Sequence, residues 1–444
     1  MQNQYIQNSP IGKIKASEGR NDNKSKLQKT LSLLIINQFY PPDYAATGQL
    51  LSELANHLRY LGIKVKIFTG QPGYAFDRDC APRTENVDGV RIRRSRTSRI
   101  WPSRIRGRVL NSLIFCLRAG MHLLKKTNRG DLLLITTEPP YLPVLGYLAY
   151  LLLRIPYVCL LYDLYPDVAV ELKVVQRHHW LVRFWNWLNC QVWRHSQGVI
   201  VLSSTMKDHV VAKCPQVKDK ITVIHSWSNP DWIKPIRKSD NWFAHKFDLV
   251  ENFTVLYSGN MGRCHDIDTI LAAAAELQNE PIQFVFIGSG AKHRESITKV
   301  ANLGLDNCKF LPYQDKSVLP YSLTACDLSL VSISAGMEGL IAPSKLYGIL
   351  AAGRSVAVIC EAHSYLRKLV KDAKCGKAFD NGDSAGLAQF ILHLASNSNL
   401  ARAQGLAGRR YLKAKFTPEI IAQQYLKILY QAKFNEDVEQ GFLS

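Results

Sequence analysis

Short, wholly apolar runs alternate along this chain with segments whose apolar residues recur every three or four positions. Residues 31–37 form a continuous apolar run of the length of a strand buried on both faces. After it Leu50, Leu51, Leu54, Leu58 and Leu61 share one helical face, with Thr47 placed to cap the start and Gly62 to stop the end. Residues 64–69 alternate as a strand, and further strands are predicted at 131–136, 157–162, 198–202 and 221–225. Strands separated by helices predict a parallel sheet covered on both faces.

The pattern breaks at 226–241, SWSNPDWIKPIRKSDN, which reads as a domain boundary. Beyond it strands are predicted at 254–258, 283–287, 309–311, 327–331 and 355–359, with helices from 385 to 434. The expected layout is a first doubly wound domain over 31–226, a second over 227–416, and a helix over 417–444 returning to the first. Two such domains leave a cleft between the carboxyl ends of their sheets, where ligands bind in these folds. Residues 1–30 are polar and of mixed charge, and read as a disordered tail rather than a signal peptide or a span. The stretch 141–162 has the length of a membrane span, but Pro143, Arg154 and Pro156 divide it into a buried helix, a turn and a buried strand.

Composition adds one constraint. At 444 residues and 47% apolar, the chain fills two cores, as the strand pattern already implies. Its net charge of +20 implies an anionic partner: nucleic acid, an acidic membrane or a phosphorylated substrate. Ten cysteines stand singly, without C-x-x-C pairs or zinc spacing, as in a protein with reduced thiols and no zinc site. Much of the positive charge lies in one segment, with Arg91, Arg93, Arg94, Arg96, Arg99, Arg104 and Arg106 around Trp101. An apolar helical stretch over 110–126 follows it. That pairing suits an anionic bilayer; a solvated β-hairpin followed by a core helix is the structural alternative. No helix-turn-helix, RNA-binding or zinc-finger signature supports nucleic acid as the partner.

Five places carry candidate chemistry. In PSKLYGILAAG, Pro343 and Ser344 open a helix whose free N–H groups and positive dipole end form an anion site, and Lys345 adds a charge beside it. In YSGNMGR, Gly259, Asn260 and Gly262 form a turn after a strand, and Arg263 offers a fork for phosphate oxygens; a purely structural turn is the alternative. Gly288 and Gly290 either border a nucleotide base or make a tight turn. Glu338, beside Gly339 and ahead of the Pro-led helix, is placed to bond sugar hydroxyls or is an exposed loop carboxylate. Asp163, at the end of an apolar strand, either orients or activates a hydroxyl group or caps the next helix. In the first strand–helix loop the small residues Ala45, Ala46 and Gly48 leave room for a ligand at a helix N-terminus, or form an ordinary connection.

Together these elements resemble the family 4 retaining glycosyltransferases of the GT-B fold. The nearest branch is the one that builds colanic-acid, capsular and O-antigen polysaccharides. The resemblance covers 31–434. It rests on Pro41, Pro42 and Gly48 in the first loop, on Tyr162-Asp163-Leu164-Tyr165-Pro166, and on the turn from Tyr257 to Arg263. Its specific part is P-S-K-L, Pro343 to Leu346, followed by L-A-x-G-R, Leu350 to Arg354. The chain departs from the family's usual pattern at Tyr162, where His is common, at Cys264-His265, where Lys is common, and at Gly348, where a ribose-binding Glu is common.

The resemblance implies an α/β, GT-B architecture of two Rossmann-like domains facing across a cleft. It also implies transfer of a sugar from a nucleoside diphosphate, with retention, without a metal or other cofactor. Arg263 and Lys345 would hold the diphosphate with Ser344, Pro343, Leu346 and the Gly259–Gly262 turn. Gly288 and Gly290 would border the base, and Glu338 and Gly339 the sugar. Asp163, Tyr162 and Gly48 would face the acceptor. The acceptor implied is a saccharide, often on a polyprenyl diphosphate, which would bring the enzyme to the inner face of the plasma membrane. A non-catalytic relative or a nucleotide-sugar epimerase on the same fold is the alternative, with a nucleic-acid-binding protein behind both.

Overall fold

The computed structural model describes residues 31–43, 45–72, 81–96 and 105–440. The expected tail 1–30, the residues Arg99, Trp101 and Arg104, the side chain of Arg106 and the last residues after 440 lie outside the described residues.

The first half runs β1 (Ser32–Ile36), α1 (Ala46–Tyr60), β2 (Lys64–Thr69), β3 (Thr84–Val87), β4 (Val90–Arg94), α2 (Ile105–Leu124), β5 (Leu132–Thr136), α3 (Pro143–Leu153) and β6 (Tyr157–Leu161). It continues through α4 (Asp167–Glu171), α5 (Trp180–His195), β7 (Gly198–Val201), α6 (Ser204–Lys213) and β8 (Ile221–Val223). The second half runs α7 (Trp242–Lys246), β9 (Phe253–Ser258), α8 (Asp268–Glu276), β10 (Ile282–Ile287), α9 (His293–Asn302), β11 (Cys308–Leu311), α10 (Leu319–Thr324) and β12 (Leu328–Ser332). It ends with α11 (Lys345–Ala352), β13 (Ser355–Ile359), α12 (Tyr365–Ala373), β14 (Gly376–Phe379), α13 (Ser384–Ala395), α14 (Ser398–Lys415) and α15 (Pro418–Gln440).

Two sheets result, in the orders β3-β4-β2-β1-β5-β6-β7-β8 and β11-β10-β9-β12-β13-β14. Among the described strands only the β3–β4 hairpin pairs antiparallel. The architecture is α/β GT-B, as the resemblance implied. The apolar runs are strands because helices cover both faces: every residue of β5, β6, β7, β12 and β13 is buried. The 141–162 stretch divides as expected into α3 and β6, and among the described residues no helix is long and apolar enough to cross a membrane.

Each sheet reverses its winding at one place, since β1 lies between β2 and β5, and β9 lies between β10 and β12. Crevices open at such switch points, outside the carboxyl ends of the strands. The loops after β1 and β5 therefore adjoin in one half, and those after β9 and β12 in the other. After the second sheet the chain returns, and α15 packs along α1. Trp227, between the halves, donates its indole N–H to Glu53 of α1 at 2.7 Å.

Two local expectations need correction. Thr47 does not cap α1: the position before the helix is Ala45, with no side-chain cap, and the Thr47 hydroxyl donates instead to Glu138 after β5 at 2.5 Å. The basic segment is not uniformly a surface either. Its first part is the β3–β4 hairpin, and Arg94 is buried there against Glu85 at 2.5 Å, because the partner acid lies on the neighbouring strand. The helix after it is only partly a core helix. It buries Phe115, Ala119 and Leu123 but exposes Leu113, Leu117, Met121 and Leu124.

Candidate active site

In the second half, β9 delivers the turn that begins at Gly259, whose N–H bonds Ile287 O at 2.8 Å. Gly288, after β10, packs beneath that turn. At φ +131°, with Gly259 O only 2.2 Å from where a Cβ would stand, it accepts no side chain. Gly290 is crowded likewise by Asn260 and Met261. Both glycines thus serve the packing of the Gly259–Gly262 turn.

Lys345 is the first residue of α11, behind the N-cap Ser344, which makes no side-chain cap. Its ammonium lies 3.8 Å from the centroid of the Tyr257 ring, at the end of β9. Gly259 faces it across ordinary contact distance, a Cβ there standing 3.6 Å from Nζ, and at φ +126° the turn favours glycine. The ammonium is buried and finds no hydrogen-bond partner among the described residues. Burial without an anion pulls its pKa down to about 7. Beside it His265 bonds Ser332 O through Nδ1 at 2.8 Å, and burial followed by the charge of Lys345 holds its pKa down at about 3. His265 is therefore a neutral neighbour. A buried, unpaired cation facing a glycine turn and a helix N-terminus is costly unless an anion joins it. Arg263 is exposed on the same turn, and Lys292 reaches back to His265 O at 2.9 Å.

Glu338 is no exposed loop carboxylate. It is 5% exposed, accepts from the Thr205 hydroxyl of the other half at 2.6 Å through Oε1, and leaves Oε2 buried without a partner among the described residues. Gly339 makes this approach of the two halves possible. At φ +74°, a Cβ there would stand 2.8 Å from Thr205 O. One residue on, Leu340 O accepts from the N–H of Leu164 at 2.9 Å, lacing the Glu338 loop to the segment that follows Asp163.

Asp163 caps no helix: the residue before α4 is Pro166, without a side-chain cap. Its backbone N–H bonds the Thr137 hydroxyl at 3.3 Å, and burial raises its pKa to about 6. Its charge is also felt at Cys264 in the other half, next to Arg263. A second carboxylate joins it. Glu138, held by Thr47, has its pKa raised to about 7 by burial first, with the charge of Asp163 adding to the effect. Glu138 escaped the sequence reading, since it stands two residues beyond β5, after Thr136 and Thr137 and before two prolines. Tyr162 is buried, its N–H bonding the Thr137 hydroxyl at 2.9 Å. Gly48 spends its missing side chain on the fold, since a Cβ there would lie 2.9 Å from the backbone of Phe39. Among the described residues no group of three or more His, Cys, Asp and Glu could hold a metal ion.

The site thus has two chemically distinct walls. One, at the β9/β12 switch point, offers an unpaired cation and a half-satisfied carboxylate. The other, at the β1/β5 switch point and the end of β6, offers carboxyl groups that titrate near neutrality.

Residues 46–227 match the family model for the glycosyl transferase 4-like domain, and residues 239–411 match that for glycosyl transferases group 1. A probable glycosyltransferase of Pseudomonas aeruginosa, WbjE, is 26% identical over 65% of this chain and 72% of its own length. A putative colanic acid biosynthesis glycosyl transferase of Escherichia coli, WcaI, is 28% identical over 39% of this chain and 42% of its own length. The Anabaena protein HepE, solved in complex with UDP, superposes with a TM-score of 0.66 at 15% identity, over 90% of this chain and all of that one. The chain belongs to the GT-B glycosyltransferases, with a glycosyl transferase 4-like first half and a group 1 second half.

Proposed function

We propose that the protein transfers a sugar from a nucleoside-diphosphate donor, with retention of configuration, to a saccharide acceptor on a polyprenyl diphosphate during polysaccharide synthesis. The observation that carries the donor side is the buried, unpaired Lys345 ammonium at the start of α11. As the sugar–phosphate bond breaks, negative charge grows on the leaving diphosphate. A preorganised cation and backbone N–H groups aimed there stabilise the transition state. Lys345 and Arg263 supply the charge, and Ser344, Pro343, Leu346 and the Gly259–Gly262 turn enclose it. Glu338, with Oε2 free, orients the sugar hydroxyls beside Gly339. Asp163 and Glu138 receive the acceptor hydroxyl, and Tyr162 and Gly48 shape the loops that hold them. UDP bound to the structurally similar HepE makes uridine the first base to test. The colanic-acid role in the name of the E. coli relative supports a polysaccharide product.

Surface chemistry supports work at an anionic membrane, on the inner face of the plasma membrane. The exposed apolar residues of α2 continue on α3 with Leu148, Leu151 and Leu152, and on α5 with Trp180, Phe184 and Trp187. These three helices pack in succession, α2 on α3 and α3 on α5. Apolar side chains among surplus cations are what a bilayer with anionic lipids binds.

The test is transfer of labelled sugar from a panel of UDP-, GDP-, ADP- and dTDP-sugars to polyprenyl-diphosphate saccharides, with the anomeric outcome read by NMR. One donor should react with retention. Inversion, or turnover with no nucleotide sugar, would overturn the reading.

A further inference from the structure

Beyond the cleft, the described residues line an open pocket of about 350 Å³ between β2, β4 and the second half of α2. Its lining is unusual in charge: Arg83, Arg93, Arg94, Arg96, Arg118 and Lys125 contribute to it, and no acidic residue does among the described residues. Glu85 pairs with Arg94 from outside the lining and Arg118 donates to Arg96 O, while Arg83, Arg93, Arg96 and Lys125 border a space large enough for a phosphate or diphosphate. Arg94 is 2% exposed and bonds Pro41 O at 2.6 Å and Pro82 O at 3.0 Å. Its buried Nε still finds no partner among the described residues. His122, also in the lining, has its pKa pushed down to about 4, by burial first and then by the charges of Arg93 and Lys66. The space is therefore electropositive without the histidine. Neither the proposed donor site nor the acceptor carboxylates use any of these groups.

One wall of the pocket is apolar and continues outward. Met121 lines it and is 59% exposed, and Leu117 and Leu124 stand exposed beside it on α2. A free anion needs no such wall, whereas a phosphate joined to a hydrocarbon chain uses both surfaces.

We propose that this pocket binds the phosphate or diphosphate group of a lipid-borne ligand, with arginine forks on its oxygens and the α2 ridge against its chain. The inference rests on the lipid-linked reading of the acceptor given above, and it names where on the protein the carrier's head would be held. Through Arg94 and the Pro41 carbonyl, the pocket adjoins the loop that leads into α1 and the acceptor side of the cleft.

The experiment is calorimetric titration of the full chain, with its donor site saturated by UDP, using inorganic pyrophosphate, geranyl diphosphate and geraniol. Geranyl diphosphate should bind at least tenfold more tightly than pyrophosphate, and geraniol should not bind. The double variant Arg93→Ala/Arg96→Ala, and separately Met121→Trp, which fills the mouth without altering charge, should each weaken geranyl diphosphate at least tenfold while UDP affinity stays unchanged. Equal affinity for pyrophosphate and geranyl diphosphate would overturn the lipid assignment. Wild-type affinity in both variants would overturn the site. Loss of UDP binding by the wild-type protein would instead count against the donor reading, so the two failures are distinguishable.

Discussion

The two switch points of this molecule have the same topology and opposite chemistry. At β9/β12 the fold buries the ammonium of Lys345 with no counter-ion among the described residues. At β1/β5 it half-buries an acid, Glu138, and sets Asp163 close by at the end of β6. Burial pushes both kinds of group toward neutrality, the lysine down and the carboxylic acids up. The first site becomes favourable only when an anion arrives. The second holds groups able to accept a proton near pH 7. The same winding thus supports charge stabilisation in one half and hydroxyl handling in the other, and the difference lies in which residue follows each strand.

The largest effect should come from the cationic wall. Lys345→Ala and Arg263→Ala are each expected to lower turnover by about two orders of magnitude, the scale for one preorganised stabilising group. Steady-state rates with the identified donor check this, and near-normal rates in both variants would dissolve the contrast. Lys345→Met sharpens it further: removing an unpaired buried charge should raise the thermal midpoint of the ligand-free protein while activity falls.

Next comes the carboxyl wall. Asp163→Asn and Glu138→Gln should each lower kcat/KM for the acceptor by roughly ten- to a hundredfold, the lower end for a positioned proton acceptor, with donor affinity unchanged. A matching loss of donor affinity would show that the two walls are not separate.

The pH profile joins both. Glu138 and Asp163, raised to about 7 and about 6, are ionised only above those values, so activity should rise as pH climbs through them. Lys345, lowered to about 7 in the free protein, loses its charge above that value, so affinity for an intact nucleotide sugar should fall, by up to tenfold per unit. Lys345→Arg should remove the alkaline fall in affinity and leave the acid limb in place. A flat affinity profile in the wild-type protein would break the account.

The smallest effect is expected at the contact between the halves. Thr205→Val removes the donor to Glu338 Oε1 and should cost a few-fold in kcat and about 1–3 kcal/mol in stability, since it leaves a buried carboxylate oxygen unsatisfied.

How much of this was legible follows from what each residue depends on. Strands such as β6 and β13 are buried on both faces, so their apolar runs marked them without tertiary information. The phosphate turn and the Pro-led helix were legible because glycine and proline carry backbone meaning locally. Glu138 was not, since Glu-Pro-Pro reads as a solvated loop until Thr47 and Asp163 are brought beside it. Arg94 read as surface because its partner Glu85 faces it only once the β3–β4 hairpin forms. The burial of Lys345 was equally hidden. A lysine at a helix start is normally exposed, and its ammonium is buried here because the start of α11 is brought over the Tyr257 ring at the end of β9.

The most direct test is the affinity of UDP for the wild-type protein and for Lys345→Met at pH 6.5, measured by calorimetry. Binding at least a hundredfold weaker is expected in a variant whose ligand-free thermal midpoint is equal or higher. Undiminished affinity in a folded Lys345→Met protein would contradict the assignment of Lys345 to the diphosphate.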